Sequence, residues 1–250
     1  PALPTTTTTV PATTTVPATT TVPVTTTTFQ IVTTTTPPTT TTTASTAARY
    51  KLREVDGQNI RWDPCDTSVR VGLNPNGYLT GSKLAEWETA LVEHAREIAA
   101  ATGLDVIYTG QTSQVPLAEH PGNRTAVDIL IYIGAQGTHL LGDPGDEAYS
   151  QSGFTWYTDW ENSSPIWAEF VRYEVQFDAA RVSANSFSWY EENLMYSLGK
   201  GMGLDKLDDG ISTEIMSWNS YGSGSFGNPQ WGPGDLIGFG LVGASNGCLY

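Results

Sequence analysis

Residues 194–216 contain a tyrosine, a serine and two lysines whose spacing suggests two kinds of catalytic site, a serine–lysine hydrolase or a metal-binding helix. Tyr196, Ser197 and Lys200 occupy positions i, i+1 and i+4, and Lys206 follows six residues later. Ser197 and Lys200 have the S-x-x-K spacing, which puts a serine and a lysine on adjacent turns of a helix and lets the lysine activate a serine nucleophile in some hydrolases. The S-D-N and K-T-G motifs that accompany this spacing in such hydrolases are absent from the sequence.

The segments around these residues resemble the zinc-binding helix and Met-turn of the metzincin proteases, in particular the matrixin branch. That helix has the frame H-E-x-x-H-x-x-G-x-x-H, in which histidines at i and i+4 bind zinc and the glutamate is the general base. The usual matrixin form is similar to HELGHALGLDH…IMS. The matching segments here are Leu198-Gly199, Met202-Gly203-Leu204-Asp205 and Ile215-Met216-Ser217.

The resemblance assigns a position in that frame to each of the polar residues. Tyr196 takes the place of the first histidine and Ser197 that of the glutamate. Lys200 and Lys206 take the places of the second and third histidines, and Gly203 falls on the glycine that ends the helix. The frame is therefore kept, whereas all three zinc ligands and the general base are replaced.

The replacements argue against a zinc site. Zinc binds neutral imidazole, thiolate or carboxylate, and none of these occurs at the four positions. Two like unit charges about 4 Å apart repel by roughly 4 kcal/mol at an effective dielectric constant of 20, and the zinc ion carries two charges. Lys200 and Lys206 either supply the positive charge that the metal would have brought or extend into solvent from an open cleft. We therefore expect no zinc cofactor.

The resemblance covers residues 60–248 and implies an α+β fold of the zincin or metzincin type. Such a fold has a twisted, mixed but mostly parallel sheet, a long helix, a central active-site helix, a Met-turn and a C-terminal helix. The segments WDPC, ATGLDVIYTG and GPGDLIGFGLVGASNGC are also similar to secreted bacterial matrixin-like domains. Hydrophobic periodicity and turn residues predict strands at 68–73, 106–108, 126–133 and, as an edge strand, 167–177. They predict loops over 134–153 and helices at 83–102 and 233–241. A capping box of Ser188 and Glu191 predicts the start of the central helix, which ends at Gly201 or Gly203.

Composition divides the 250-residue chain into two parts. Residues 1–48 are almost all Thr, Pro, Val and Ala without charge, which predicts a disordered stalk or linker. Residues 49–250 carry the whole net charge of −14 and are long enough for one domain. Such an acidic surface disfavours nucleic acid and anionic membranes, and no segment is apolar enough to span a membrane. We expect a monomer.

The two cysteines, Cys65 and Cys248, lie near the two ends of the domain. Together with the stalk they favour one disulfide in a secreted or cell-surface protein, and two free thiols in a cytosolic protein are the alternative.

Several further residues are candidates for ligand binding. The resemblance makes Met216 a hydrophobic floor beneath the site and places Trp218 and Tyr221 at the wall of the specificity pocket. Trp156 and Trp160 precede the strand that borders the cleft, where exposed aromatic side chains favour peptide or sugar contacts. A short acidic loop with Asp205, Asp208, Asp209 and Glu214 is a candidate calcium site. Its spacing is not that of an EF-hand, and a solvated acidic turn is the alternative. The histidines His94, His120 and His139 lack the spacing of a structural zinc site.

These observations predict a secreted pseudopeptidase, which is a matrixin-like domain that binds an extended peptide or surface protein without cleaving it. Two other interpretations stay open. One is a hydrolase that uses the Ser197/Lys200 dyad, and the other is a structural module of the cell envelope.

Overall fold

The structure, a computed structural model, describes residues 48–65, 68–117, 126–139, 148–159, 164–208, 214–217 and 229–249. For residues 148–159 and 164–167 it describes the backbone. Almost all of the predicted stalk, residues 1–48, lies outside this part of the chain.

Seven strands form one mixed sheet in which most pairs are parallel. The pairs β3–β4, β3–β5, β5–β7 and β2–β7 are parallel, and β1–β2 and β6–β7 are antiparallel. The predicted α+β class with a mostly parallel sheet is therefore confirmed. The strands are β1 (Glu54–Val55), β2 (Gln58–Arg61), β3 (Val69–Asn74), β4 (Val106–Gln111), β5 (Ile129–Gly134), β6 (Ala148–Asp159) and β7 (Ser164–Asp178).

The predicted edge strand at 167–177 is wrong in position within the sheet. These residues belong to β7, which pairs with β5, with β6 and, at Ala168 and Glu169, with β2. The alternation that suggested an edge strand includes Glu174 and Gln176, whose side chains are fully buried. Glu174 accepts a hydrogen bond from the backbone N–H of Leu117 (3.2 Å), so the segment after β4 covers this polar face. The strand beside β7 is β6, in a region where the sequence predicts loops through residue 153.

The helices agree with the hydrophobic periodicity of the sequence. The long helix α1 (Gly81–Thr102) ends at Gly103, whose positive φ of 69° is the left-handed conformation that favours glycine there. A short helix α2 (Ala179–Ala184) precedes the central helix α3 (Phe187–Gly201), and α4 (Pro233–Val242) is followed by a 3-10 turn. Within the described residues, no helix has both the length and the hydropathy needed to cross a membrane.

The predicted capping box at the start of α3 is wrong. The N-cap residue is Ser186, so Ser188 lies inside the first turn, and no side chain caps the helix. The Ser188 hydroxyl is 3.0 Å from that of Ser186. The Glu191 carboxylate lies 3.6 Å from Nε2 of His94 on α1 instead of returning to the helix start. The Glu191 carboxylate therefore contacts α1 and does not accept a hydrogen bond from the backbone at the start of α3.

One hydrophobic core joins the sheet to α1, α3 and α4. All six residues of β5 are buried, as the apolar run in the sequence predicts for a central parallel strand. The indole N–H of Trp62 donates to the carbonyl of Gly201 (2.8 Å), which ties the start of the domain to the end of α3.

The two cysteines form a disulfide, which confirms the prediction for Cys65 and Cys248. Buried Asp63 accepts hydrogen bonds from the backbone N–H groups of Cys65 (2.9 Å) and Leu249 (3.3 Å). One carboxylate thus positions the chain on both sides of the bridge.

Candidate functional site

The end of α3 turns sharply at a glycine. Gly203 has a φ of 104°, and the backbone N–H of Leu204 donates back to the carbonyl of Gly199 (3.0 Å). A Cβ atom at position 203 would lie 2.7 Å from the carbonyl oxygen of Ile60. Both the backbone conformation and the close contact therefore require glycine at the position that the resemblance assigns to the helix-ending glycine.

Met216 lies against this end of α3. Its side chain is 1% exposed, and a Cβ atom at Gly199 would lie 2.6 Å from its sulfur. The backbone N–H of Leu207 donates to the carbonyl of Met216 (2.7 Å), which connects the chain after α3 to the segment Glu214–Ser217. Met216 is thus a buried packing residue next to the end of α3, and its role as a floor beneath a ligand site stays a prediction from the resemblance.

Two buried carboxylates hold the Met216 segment and the start of α4 in a reciprocal arrangement. Asp235 accepts hydrogen bonds from the backbone N–H groups of Ile215 (2.6 Å), Met216 (3.3 Å) and Gly232 (3.0 Å). Glu214 in turn accepts from those of Gly234 (2.8 Å) and Asp235 (3.1 Å). Burial raises the pKa of Asp235 to about 6, against the opposing effect of its backbone hydrogen bonds.

The first residues of the domain bring basic side chains to the same place. The backbone N–H of Arg53 donates to the carbonyl of Gly203 (2.8 Å), and that of Asp205 donates to the carbonyl of Lys51 (2.7 Å). This short antiparallel pairing includes a bridge between Leu52 and Leu204. The segment 51–53 therefore runs beside the turn that follows α3.

Lys200 is half-buried at the centre of this basic group. Its ammonium nitrogen lies 5.7 Å from the ring centroid of Tyr196, one turn earlier on α3, within cation–π range. Burial lowers the pKa of Lys200, and the positive charges of Arg53 and Lys206 lower it further against the opposing effect of Asp205. Within the described residues, no carboxylate lies within ion-pair distance of Lys200.

The neighbouring lysines, by contrast, have acidic partners. Lys51 lies 3.0 Å from a carboxylate oxygen of Asp205, and Lys206 lies 3.6 Å from one of Asp208. Of the three lysines in this described region, Lys200 is therefore the one without a carboxylate at ion-pair distance among the described residues.

A third group on the same helix was not found from the sequence. Glu192 lies one turn before Tyr196, is only 7% exposed, and has a buried carboxylate oxygen without a hydrogen-bond partner among the described residues. Burial raises the pKa of Glu192 to about 7. Glu192, Tyr196 and Lys200 are spaced by four residues, which places them along one side of a helix, and this spacing could have indicated Glu192 from the sequence. We call these three residues the Glu192–Lys200 face.

The donor set at the three ligand positions does not fit zinc. Tyr196 offers a phenol beneath an ammonium, and Lys200 and Lys206 offer ammonium groups that have no lone pair while protonated. Ser197, at the position of the general base, is 5% exposed, and among the described residues no hydrogen bond joins it to Lys200.

The structure leaves several predicted residues without a described side chain. Trp156 lies on the backbone of β6, and its side chain is not described. The others lie outside the described residues: Trp160, Trp218, Tyr221, Asp209 and His120.

The described acidic residues of the suggested calcium site are not brought together. Asp205 and Asp208 lie in ion pairs with lysines, and Glu214 binds backbone N–H groups of α4. Among the described residues, the one group of three potential metal ligands is Asp63 with the two disulfide cysteines. Of the histidines, His94 is buried against the ring of Trp231, and His139 contacts Tyr132.

Comparison of the chain with models of known protein families and with curated proteins finds no match in either case.

Proposed function

We propose that this chain is a matrixin-like pseudopeptidase that binds an extended peptide outside the cell and does not cleave it. The observation that carries the proposal is the half-buried ammonium of Lys200 stacked on Tyr196, at the end of a helix that turns at Gly203 over Met216. The glycine turn and the methionine packed against it support the matrixin-like part of the proposal, and the positive charge of Lys200 opposes a divalent cation.

The sheet supports peptide binding. Among the described strands, β6 pairs with β7 alone, so its other edge carries backbone N–H and C=O groups that no described strand engages. β6 is twelve residues long, enough to pair with an extended peptide of six or more residues. A peptide that adds to a sheet edge gains affinity from main-chain hydrogen bonds and specificity from alternate side chains.

An extracellular location is supported by the Cys65–Cys248 disulfide, because such bonds persist in oxidising compartments. The acidic surface and the Thr/Pro tract of residues 1–48 agree with a domain displayed on a stalk.

The proposal is tested by two assays on the full chain. In the first, the protein is incubated with casein, with and without added zinc and a chelator, and its metal content is measured; we expect no cleavage and no stoichiometric zinc. In the second, extended peptides on an array are tested for binding, and each positive peptide is resynthesised with N-methyl groups at alternate positions. Blocking the backbone donors of one peptide edge removes main-chain pairing and should abolish binding in one of the two registers.

Two variants extend the binding assay to the predicted aromatic contacts. Trp156→Ala and Trp218→Ala should weaken the binding of positive peptides, because aromatic side chains contribute much of the energy of such interfaces. Chelator-sensitive proteolysis that depends on zinc would contradict the proposal. Absence of binding to every peptide would instead favour the structural module of the cell envelope.

A further inference from the structure

The basic residues of this acidic protein are unevenly distributed. Of its twelve lysines and arginines, five lie in two short segments that pair with each other at the end of α3: Arg49, Lys51, Arg53, Lys200 and Lys206. The net charge of the chain is −14, so an acidic ligand is repelled by most of the surface. Charges farther away than a Debye length of about 8 Å are largely screened at physiological ionic strength, and the local charge then decides what binds.

The local charge is not cancelled at Lys200. The described acidic side chains of the loop after α3, Asp205 and Asp208, form ion pairs with Lys51 and Lys206 at 3.0 and 3.6 Å. Lys200 faces Tyr196 from its own helix, and the charges of Arg53 and Lys206 act on it from the adjacent segments. A half-buried ammonium without a carboxylate among the described residues loses hydration and gains only a cation–π contact.

We propose that Lys200 receives a carboxylate of the bound peptide. The inference rests on the proposed function and adds the chemical class of its ligand, which is a peptide carrying an acidic side chain or a free C-terminus. An incoming carboxylate would supply the ion pair that Lys200 lacks among the described residues, and it would also be attracted by the positive charges of Arg53 and Lys206.

A linked protonation change distinguishes this role from a structural one. The free ammonium has a pKa lowered by burial and by its positive neighbours, and a bound carboxylate raises that pKa. Binding therefore takes up a proton at pH values between the two pKa values, and affinity falls as the pH rises through the lowered pKa of the free protein. Among the described residues, the titratable groups that act on or contact Lys200 are Arg53, Asp205, Lys206 and Tyr196.

The experiment compares three soluble heptapeptides by isothermal titration calorimetry on the full chain. The first is capped Thr-Val-Thr-Glu-Thr-Val-Thr, the second its capped glutamine isostere, and the third the glutamine peptide with a free C-terminal carboxylate. We expect one of the two carboxylate peptides to bind at least about tenfold more tightly than the capped glutamine peptide, as for a charge-assisted hydrogen bond. Which of them does so identifies the source of the carboxylate.

Two variants and one labelling measurement complete the test. Lys200→Gln should remove the preference for the carboxylate and the proton uptake, which is read from titrations in buffers of different ionisation enthalpy. Arg96→Gln, which removes the same charge from the exposed face of α1, should change neither. If Lys200→Gln does not fold, the rate of lysine acetylation in the unchanged protein is measured instead. The carboxylate peptide should slow the acetylation of Lys200. It should not change the acetylation of Lys83, whose ammonium donates to backbone carbonyls.

The outcomes separate this inference from the function on which it rests. Equal binding of all three peptides, unchanged in Lys200→Gln, would overturn the carboxylate site and leave peptide binding intact. Absence of binding by any of the three at millimolar concentration, together with unprotected Lys200, would overturn the carboxylate site, and the peptide array would then decide whether the chain binds peptides at all.

Discussion

Two groups of charged residues, one on α3 and one between the Met216 segment and α4, differ in how their charges are balanced. Behind Met216, the carboxylates of Glu214 and Asp235 accept five backbone hydrogen bonds between them. On the Glu192–Lys200 face, one carboxylate oxygen of Glu192 has no partner among the described residues, and Lys200 has only a phenol ring.

The difference separates the parts of the molecule that maintain the fold from those that carry an electrostatic cost. A buried charge that is fully hydrogen-bonded fixes geometry, whereas a buried charge without partners destabilises the folded protein unless a ligand supplies them. The Glu214/Asp235 pair therefore stabilises the fold, whereas the Glu192–Lys200 face carries an electrostatic cost that the described contacts do not offset. The predictions below alter one side of this comparison at a time.

The largest effect is expected for Asp235→Ala. The substitution leaves the buried N–H groups of Ile215, Met216 and Gly232 without an acceptor, and each lost acceptor costs about 1–3 kcal/mol. Burial of the Asp235 carboxylate, which raises its pKa to about 6, itself costs stability, so removing the carboxylate offsets part of this loss. We expect the free energy of unfolding to fall by about 4 kcal/mol, measured by urea denaturation.

The control is Asp208→Ala, an exposed partner of Lys206, which should change stability by less than about 1 kcal/mol. Equal effects of the two substitutions would remove the distinction between the two regions.

The sequence was sufficient for the elements whose pattern is local. The apolar run of β5, the periodicity of α1 up to Gly103, the proline at the start of α4 and the Cys65–Cys248 pair all follow from residue type and spacing. The sequence was insufficient where contacts between distant segments determine which polar side chains are buried. Glu174 and Gln176 look solvent-exposed in the sequence because nothing local shows that a loop covers them. Glu192 was overlooked for the same reason, since the burial that raises its pKa is a property of the folded chain.

A smaller effect is expected for Gly203→Ala, compared with Gly240→Ala in α4. At position 203 the backbone would hold alanine at a positive φ, and the methyl group would lie 2.7 Å from the carbonyl oxygen of Ile60. We therefore expect the free energy of unfolding to fall by about 2–3 kcal/mol. At position 240 the added methyl group would meet no described atom within 4 Å beyond its own stretch of helix, and alanine in a helix should stabilise by up to about 1 kcal/mol. Thermal or urea denaturation of both variants measures the difference. A tolerated alanine at position 203 would mean that the turn after α3 is not the rigid feature described here.

The smallest effect, and the one of opposite sign, is expected for Glu192→Gln. The pKa of Glu192 rises from 4.5 to about 7 on folding because the carboxylate is buried, so the folded protein binds more protons than the unfolded chain between these values. Stability must therefore fall as the pH rises from about 4.5 to about 7, and a neutral isostere removes that loss.

At pH 8 the glutamine variant should be more stable than the unchanged protein by about 2 kcal/mol, and at pH 4 the two should be nearly equal. Glu93→Gln on the exposed face of α1 serves as the matched control and should leave the pH profile unchanged. Urea denaturation across this pH range measures both variants, and the slope that Asp235 contributes cancels in the difference from the unchanged protein. A glutamine variant that is less stable at pH 8 would show that Glu192 has a partner in the folded protein, and the Glu192–Lys200 face would then belong with the Glu214/Asp235 pair as part of the scaffold.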